Sequence, residues 1–243
     1  MDLSKIFAKT AMKLKKLIIY IVSFAVIANM LCVFTQAQGG YGNVYFNHKN
    51  NQMQIALTFD DGPHPRYTPQ ILDVLKKYDV KATFFVIGEN ALYYPDALCR
   101  AAKEGHEIAN HTYSHMSLSS KNMYRLKDEI TKCEDQIYDL TGIKTKLFRP
   151  PEGLITHSVS EIATELNYNV ILWDIDTRDW AHTPPKVIAK NVTDSVQSGC
   201  VILMHDFIGK NSPTPEALEI FIPILLERGY RFVTVSELIK TAE

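Results

Sequence analysis

The run Gln54-Ile55-Ala56-Leu57-Thr58-Phe59 leads straight into Asp60-Asp61-Gly62-Pro63. A short, nearly continuous apolar run closed by a turn-forming Asp-Gly-Pro predicts a strand buried on both of its faces. An amphipathic run over 68–78 follows it and predicts a helix. That unit recurs to the end of the chain. Strands are predicted at 54–59, 82–86, 107–110, 145–148, 169–173, 200–204 and 231–234. Helices are predicted at 68–78, 95–104, 121–141, 157–166, 185–197 and 215–227, with a short one at 236–242. Gly105, Gly142, Gly199 and Gly229 stand where a helix should stop and turn toward the next strand. Seven strand-then-helix units imply a parallel sheet covered by helices on both faces. Closed, this is a distorted seven-stranded (β/α) barrel; open, it is a doubly wound sheet. The expected fold class is α/β, as such a barrel forming a single domain.

The 243 residues are 46% hydrophobic and 22% charged, which excludes a disordered chain. With 26 basic and 27 acidic residues the net charge is −1, so no nucleic-acid partner is expected. Four cysteines are too few to scaffold a domain of this length. No repeat or low-complexity run is present, and a monomer is expected.

The N-terminal segment decides the compartment. Lys5, Lys9, Lys13, Lys15 and Lys16 stand against the single acid Asp2, and an uncharged, mostly apolar stretch of 18 residues follows at 17–34. Thr35-Gln36-Ala37-Gln38-Gly39-Gly40 then supplies small and polar residues. Basic, apolar, small is the order of a secretory signal, with cleavage after Ala37. The stretch is also long enough for a short membrane span, so an uncleaved anchor is the alternative. Either way the bulk of the protein is exported, secreted or held on the outer face of the membrane by that anchor alone. The expected layout is 1–37 signal or anchor, 38–52 polar lead-in, and 53–240 catalytic domain. Removing the signal takes Cys32 and leaves Cys99, Cys133 and Cys200. Burial is expected for these three, and a Cys99–Cys133 bridge is left open.

In parallel α/β folds chemistry gathers where strands end and loops begin. Five strand ends carry reactive residues. The first is Asp60-Asp61, whose plain structural role would be to cap a turn. The third strand runs into His111-Thr112-Tyr113-Ser114-His115, where two histidines four apart on a helical turn can present two nitrogens to one ion. Together with a carboxylate they give three protein ligands, leaving coordination open for water as in catalytic zinc sites. The fourth strand ends in Arg149-Pro150-Pro151-Glu152-Gly153, either a surface arginine in a stiff loop or a guanidinium held rigidly for a carboxylate. The fifth ends in Trp173-Asp174-Ile175-Asp176-Thr177-Arg178-Asp179-Trp180, where core packing accounts for Trp173 better than for Trp180. The sixth ends in Leu203-Met204-His205-Asp206, with His205 placed either as a core histidine or as a general acid. Each has a bland explanation alone, but five of them at the same end of successive strands do not.

In this order, 58–63, 111–115, 149–153, 176–180 and 203–205 resemble the five motifs of the polysaccharide deacetylases, carbohydrate esterase family four. The resemblance covers about residues 53–240. It implies a distorted barrel that removes acetyl groups from N-acetylated sugars of peptidoglycan or chitin, or O-acetyl groups from xylan, using a divalent metal. Zinc is the expected ion, with cobalt or another divalent ion as the alternative. The resemblance makes Asp61, His111 and His115 the metal ligands and Asp60 the catalytic base. It implies that Arg149 holds Asp60, that His205 is the acid, and that Asp179 orients His205. Trp180, Leu203, Pro151 and Glu152 would line the substrate site. Glu152 departs from the family's usual aromatic residue; its backbone N–H would still serve the developing oxyanion, while its carboxylate adds charge beside the sugar. The expected partner is an acetylated polysaccharide or oligosaccharide, foremost peptidoglycan N-acetylglucosamine or a chitooligosaccharide. N-acetylmuramic acid and acetyl xylan remain as alternative substrates. Iron-dependent oxygenation shares two His and a carboxylate but has no use for Asp60, Arg149 and His205 together. A catalytically inactive, wall-binding barrel is the non-enzyme alternative.

Overall fold

A computed structural model describes residues 44–47, 52–119 and 121–240. The elements run β1 (Val44–Tyr45), β2 (Gln54–Asp60), α1 (Tyr67–Lys77), β3 (Thr83–Val86), α2 (Gly88–Tyr93), α3 (Pro95–Lys103), β4 (Glu107–Asn110) and α4 (Leu126–Thr141). They continue with β5 (Leu147–Phe148), α5 (His157–Glu165), β6 (Asn169–Ile171), β7 (Ile175–Asp176), α6 (Pro185–Ser195), β8 (Val201–His205), α7 (Thr214–Glu227), β9 (Arg231–Val233) and α8 (Val235–Lys240). Across the sheet the order is β1-β6-β5-β4-β3-β2-β8-β7, with β9 on β2. Every ladder is parallel. Parallel neighbours need crossover connections, and the helices supply them. An isolated antiparallel bridge from Asn47 to Cys200, and an Asn47 Nδ2 bond to Asp174 Oδ1 at 2.5 Å, draw the β1 side of the sheet toward β8. The result is a curled, distorted α/β barrel.

All seven residues of β2 are buried. Because side chains alternate along a strand, Ile55, Leu57 and Phe59 face the helices, where they meet Ile71, Leu72 and Leu75 of α1 and Leu218 and Phe221 of α7. Burying each such Leu or Phe contributes roughly 1.5–3 kcal/mol. Ala56 points the other way and joins Phe85, Ala109, Leu147, Ile171 and Val201 inside the barrel. The same alternation sends Thr58 and Asp60 inward above that apolar layer. Register then aligns the strand ends: Asp60 sits opposite Phe85 and His205, and Asn110 opposite Phe148. The residues following β2, β4, β5 and β8 therefore share one mouth.

The sheet has nine strands among the described residues rather than the seven expected. β1 falls in the supposed polar lead-in and pairs Val44 with Val170 and Tyr45 with Ile171; two residues are too short to leave a periodic signal. The strand expected over 169–173 stops at Ile171 because the Ile171 and Leu172 carbonyls turn to Arg149. It resumes as β7 beside β8. Helix α2 was not foreseen, and the helix expected from 121 begins with a short 3-10 turn at Met123–Arg125. No disulfide joins Cys99 to Cys133: their thiols donate instead to the Leu140 and Val86 carbonyls, each at 3.4 Å. The signal or anchor expected at 1–37 lies outside the described residues, and among those described no helix is long and apolar enough to cross a membrane.

Candidate active site

Arg149 leaves β5 and turns into the barrel, where it is fully buried. Its Nη1 donates to Asp60 Oδ1 at 2.6 Å and to Thr58 Oγ1 at 2.9 Å. Nε and Nη2 donate to the carbonyls of Ile171 (3.0 Å) and Leu172 (3.1 Å). The guanidinium lies 4.0 Å from the centre of the Phe85 ring. Burial pulls its pKa below the usual guanidinium value, and Asp60 opposes that pull. The arrangement is a rigid mount for Asp60, not a surface arginine.

Asp61, one residue past the strand, has φ 74°, a backbone conformation rare outside glycine. Asn90 of α2 donates to its carbonyl at 2.7 Å. Its carboxylate faces two imidazoles: Oδ1 is 3.4 Å from His111 Nε2 and 3.3 Å from His115 Nε2. That oxygen is buried and has no hydrogen-bond partner among the described residues. A tetrahedral zinc ion with ligands at about 2.0–2.1 Å spaces them roughly 3.3–3.4 Å apart, so the three residues fit a divalent cation. His111 Nδ1 lies 2.6 Å from the Arg149 carbonyl. Since a carbonyl only accepts, Nδ1 carries a proton, which leaves Nε2 as the ring atom turned toward Asp61 and available to a cation. Burial alone would raise the pKa of Asp61, but the facing His111 ring, with the charges of His205 and His115, holds it below the usual carboxylate range. Burial and the neighbouring His111 lower His115, whereas Asp60 and Asp61 lift His111 against its burial.

The helical turn expected for 111–115 is absent. The chain leaves β4 into an irregular turn with Thr112 at φ 70° and His115 at φ 51°. Thr112 N donates to Asn110 Oδ1 (2.9 Å) and His115 N to Thr112 Oγ1 (3.1 Å). Side-chain bonds to the backbone, not helical stacking, bring the two rings together, with centroids 5.0 Å apart.

Across the mouth, His205 ends β8. Its Nδ1 is 2.8 Å from Asp179 Oδ1. Asp179 is fully buried, and it also accepts from His205 N (2.7 Å), Thr214 Oγ1 (2.7 Å) and Trp180 N (2.9 Å). Burial works against a charged imidazole, but the bond and charge of Asp179, with Asp60 and Asp61, outweigh it and lift His205 to about 9. The ring can therefore hold a proton at neutral pH.

Asp60, Asp61, His111, His115 and His205 line one cavity of about 320 Å³, walled by Glu152, Gly153, Trp173, Asp176, Trp180 and Leu203. Trp180 is 49% exposed at its rim. Of the residues expected at the site, Arg149, Asp179 and Pro151 are not in the wall; all three are buried behind it. Trp173, read from sequence as core, packs on the interior cluster and also lines the cavity. Its ring lies so close to Gly153 (φ 64°) that a Cβ there would sit 2.5 Å from it, and the glycine following Glu152 was the available signal. Asp206, next to His205, lies outside that lining. It is buried, accepts from Thr68 Oγ1 at 2.5 Å, and presses on Gly62, where a Cβ would fall 2.1 Å from its carboxylate.

A histidine able to hold a proton, a mounted carboxylate and a cation-sized cluster share one barrel mouth, the groups that a metal-assisted hydrolase uses. The family model described as polysaccharide deacetylase matches residues 47–171, and the chain belongs to that family. A peptidoglycan-N-acetylglucosamine deacetylase of Bacillus cereus is 41% identical over 201 residues, which is 82% of this chain and 94% of the relative. The crystal structure of the Bc1960 peptidoglycan N-acetylglucosamine deacetylase superposes with a TM-score of 0.76 at 39% identity, covering 81% of this chain and 92% of that one. A family 4 acetyl xylan esterase from Clostridium thermocellum, solved with a cobalt ion, gives 0.71 at 35% identity, covering 77% and 91%.

Proposed function

We propose that this protein removes the acetyl group from N-acetylglucosamine residues of exported peptidoglycan, using a divalent ion, zinc first, on Asp61, His111 and His115. The observation that carries the reading is the orphaned Asp61 Oδ1 between two imidazole Nε2 atoms, in the same cavity as Asp60 and His205. When bound, the cation supplies Lewis acidity, polarising the acetyl carbonyl and acidifying water. Asp60, fixed by Arg149, takes the proton of the attacking water. The backbone N–H at Glu152 donates to the developing oxyanion, a contribution of about 3 kcal/mol for one such donor. His205, oriented by Asp179, gives its proton to the departing amine, which leaves poorly without one. Trp180 and Leu203 shelter the acetyl methyl and the sugar face.

Glu152 and Asp176 make the wall acidic, which favours neutral N-acetylglucosamine over a sugar carrying a free carboxylate. The likeness to an acetyl xylan esterase supports O-deacetylation as the second reading. Zinc-loaded protein incubated with defined peptidoglycan fragments, chitin oligomers and acetyl xylan decides between them, with the freed amine or hydroxyl located by mass. Acetate release from the N-acetylglucosamine units is expected. No release from any N-acetylated glycan by protein holding stoichiometric zinc would sink the reading.

A further inference from the structure

The turn carrying His111 and His115 is held from outside by a residue with no part in the proposed chemistry. Glu129, in the first turn of α4, is only 6% exposed. Its carboxylate is directed at one residue of that turn: Ser114 N donates to Oε2 at 2.7 Å, and Ser114 Oγ lies 3.0 Å from both oxygens. Arg125, one helical turn back, is 3.8 Å away. An acid in the first turn of a helix is favoured by the backbone dipole, but that would be served equally by a carboxylate facing solvent. A buried carboxylate is unfavourable unless it is bonded, and here the bonds go to the segment between two cation-holding residues.

That segment is strained. Thr112, a β-branched residue, and His115 both have positive φ, conformations that cost about 1–3 kcal/mol each and persist only when the surroundings enforce them. The restraints can be counted off by donor. His111 N bonds to the Val86 carbonyl in the neighbouring strand, and the Gly88 and Glu89 amides hold the Thr112 and Tyr113 carbonyls. Thr112 N and His115 N bond to Asn110 and Thr112 side chains within the segment itself. At Ser114, next to His115, the restraint comes from Glu129, fifteen positions along the chain. The Glu89 amide and the Glu129 carboxylate thus grip the two sides of one planar peptide, the Tyr113 carbonyl and Ser114 N–H; without Glu129 the side that adjoins His115 is released, and the left-handed residue can relax.

We infer that Glu129 is a positioning residue that keeps the His115 imidazole against Asp61, and so sets cation affinity without touching the cation. This rests on the reading that Asp61, His111 and His115 bind the ion. Partners of this indirect kind typically change metal affinity roughly 10–100-fold when removed.

The test is zinc affinity, measured on the purified full chain by competition with a chromophoric chelator, with thermal melting of the zinc-free protein as control. Glu129→Ala should weaken zinc binding at least about tenfold at a zinc-free melting temperature that still leaves the chain folded at the assay temperature. Glu129→Gln keeps an oxygen for Ser114 N and should stay within about threefold of wild type, since it loses charge but not the bond. A carboxylate serving only the helix dipole would lower the zinc-free melting temperature equally in both variants and leave zinc affinity at its wild-type value. Glu129→Met, which fills the same buried space but offers Ser114 N no oxygen, gives an independent measurement should the Ala variant not fold; it should weaken zinc in the same direction. Wild-type affinity in Glu129→Ala, or in Glu129→Met where that variant stands in, overturns the inference alone. Absence of zinc binding by wild type overturns the metal reading, and this inference with it.

Discussion

Arg149 and Asp60 meet at 2.6 Å inside the barrel, and the Asp60 they fix stands directly opposite His205 in the β2–β8 ladder. One sheet register therefore sets the distance between the proposed base and the proposed acid. A guanidinium bonded to two carbonyls, a hydroxyl and a carboxylate has no freedom to wander, so Asp60 is held in one rotamer before any substrate arrives.

Asp60→Asn should keep zinc and lose turnover. The amide preserves shape but accepts no proton, and Asp60 Oδ2 is 3.8 Å from His111 Nε2, outside the cation cluster. A fall in kcat of roughly 10²–10⁴ is expected for loss of a general base, with zinc content unchanged by elemental analysis. The melting temperature should also drop, because Arg149 is left as an uncompensated buried charge. Substantial residual deacetylation would remove Asp60 from its role.

Asp61→Ala and His115→Ala should lose zinc and activity together. Each removes one of three ligand atoms that lie within 4.8 Å of one another, and no fourth His, Cys, Asp or Glu among the described residues joins that group. A variant that still binds one equivalent of zinc after dialysis would show that the ligands were misassigned.

The sequence disclosed the order of strands and the reactive residue at each strand end, because parallel strands buried on both faces leave unbroken apolar runs and the polar residues that follow them stand out. Two-residue strands such as β1 and β7 were illegible, since pairing there comes from neighbours rather than from pattern. The spacing of His111 and His115 suggested a helix; the real turn depends on left-handed φ at Thr112 and His115, enforced by side-chain bonds that no periodicity reports. Trp173 was missed for a related reason. Its place at the site follows from close approach to Gly153, which is a matter of three-dimensional fit.

Asp179→Asn should move the alkaline limb of kcat/KM to lower pH. His205 stands at about 9 because, against the opposing effect of burial, the bond and charge of Asp179 favour its protonated form. The amide keeps an acceptor for Nδ1 but loses the charge, so the imidazole gives up its proton earlier and the acid form is depleted sooner. The limb should shift down by about one unit or more, and kcat should fall because amide hydrogens now confront the donors of His205 and Thr214. A limb that stays where it is in wild type would separate His205 from that titration.

Asp206→Asn should gain on wild type in stability as pH rises. Burial, with the charges of Asp61 and Asp60, lifts Asp206 from 3.8 to about 7 against the bond from Thr68. The folded protein thus keeps a proton that the unfolded chain releases near 4, so between about pH 4 and 7 the native state binds more protons and wild-type stability declines with rising pH. Asparagine has no such titration. The difference in melting temperature, variant minus wild type, should therefore grow in the variant's favour between pH 5 and pH 8 by at least roughly 2–4 °C, the equivalent of about 1 kcal/mol in a domain of this size. The comparison belongs to zinc-free protein, so that Asp61 carries the same charge in both. Whatever the offset from placing an amide beside Thr68 and Gly62, it is common to the two pH values and cancels; a difference that does not change with pH would mean Asp206 is ionised throughout.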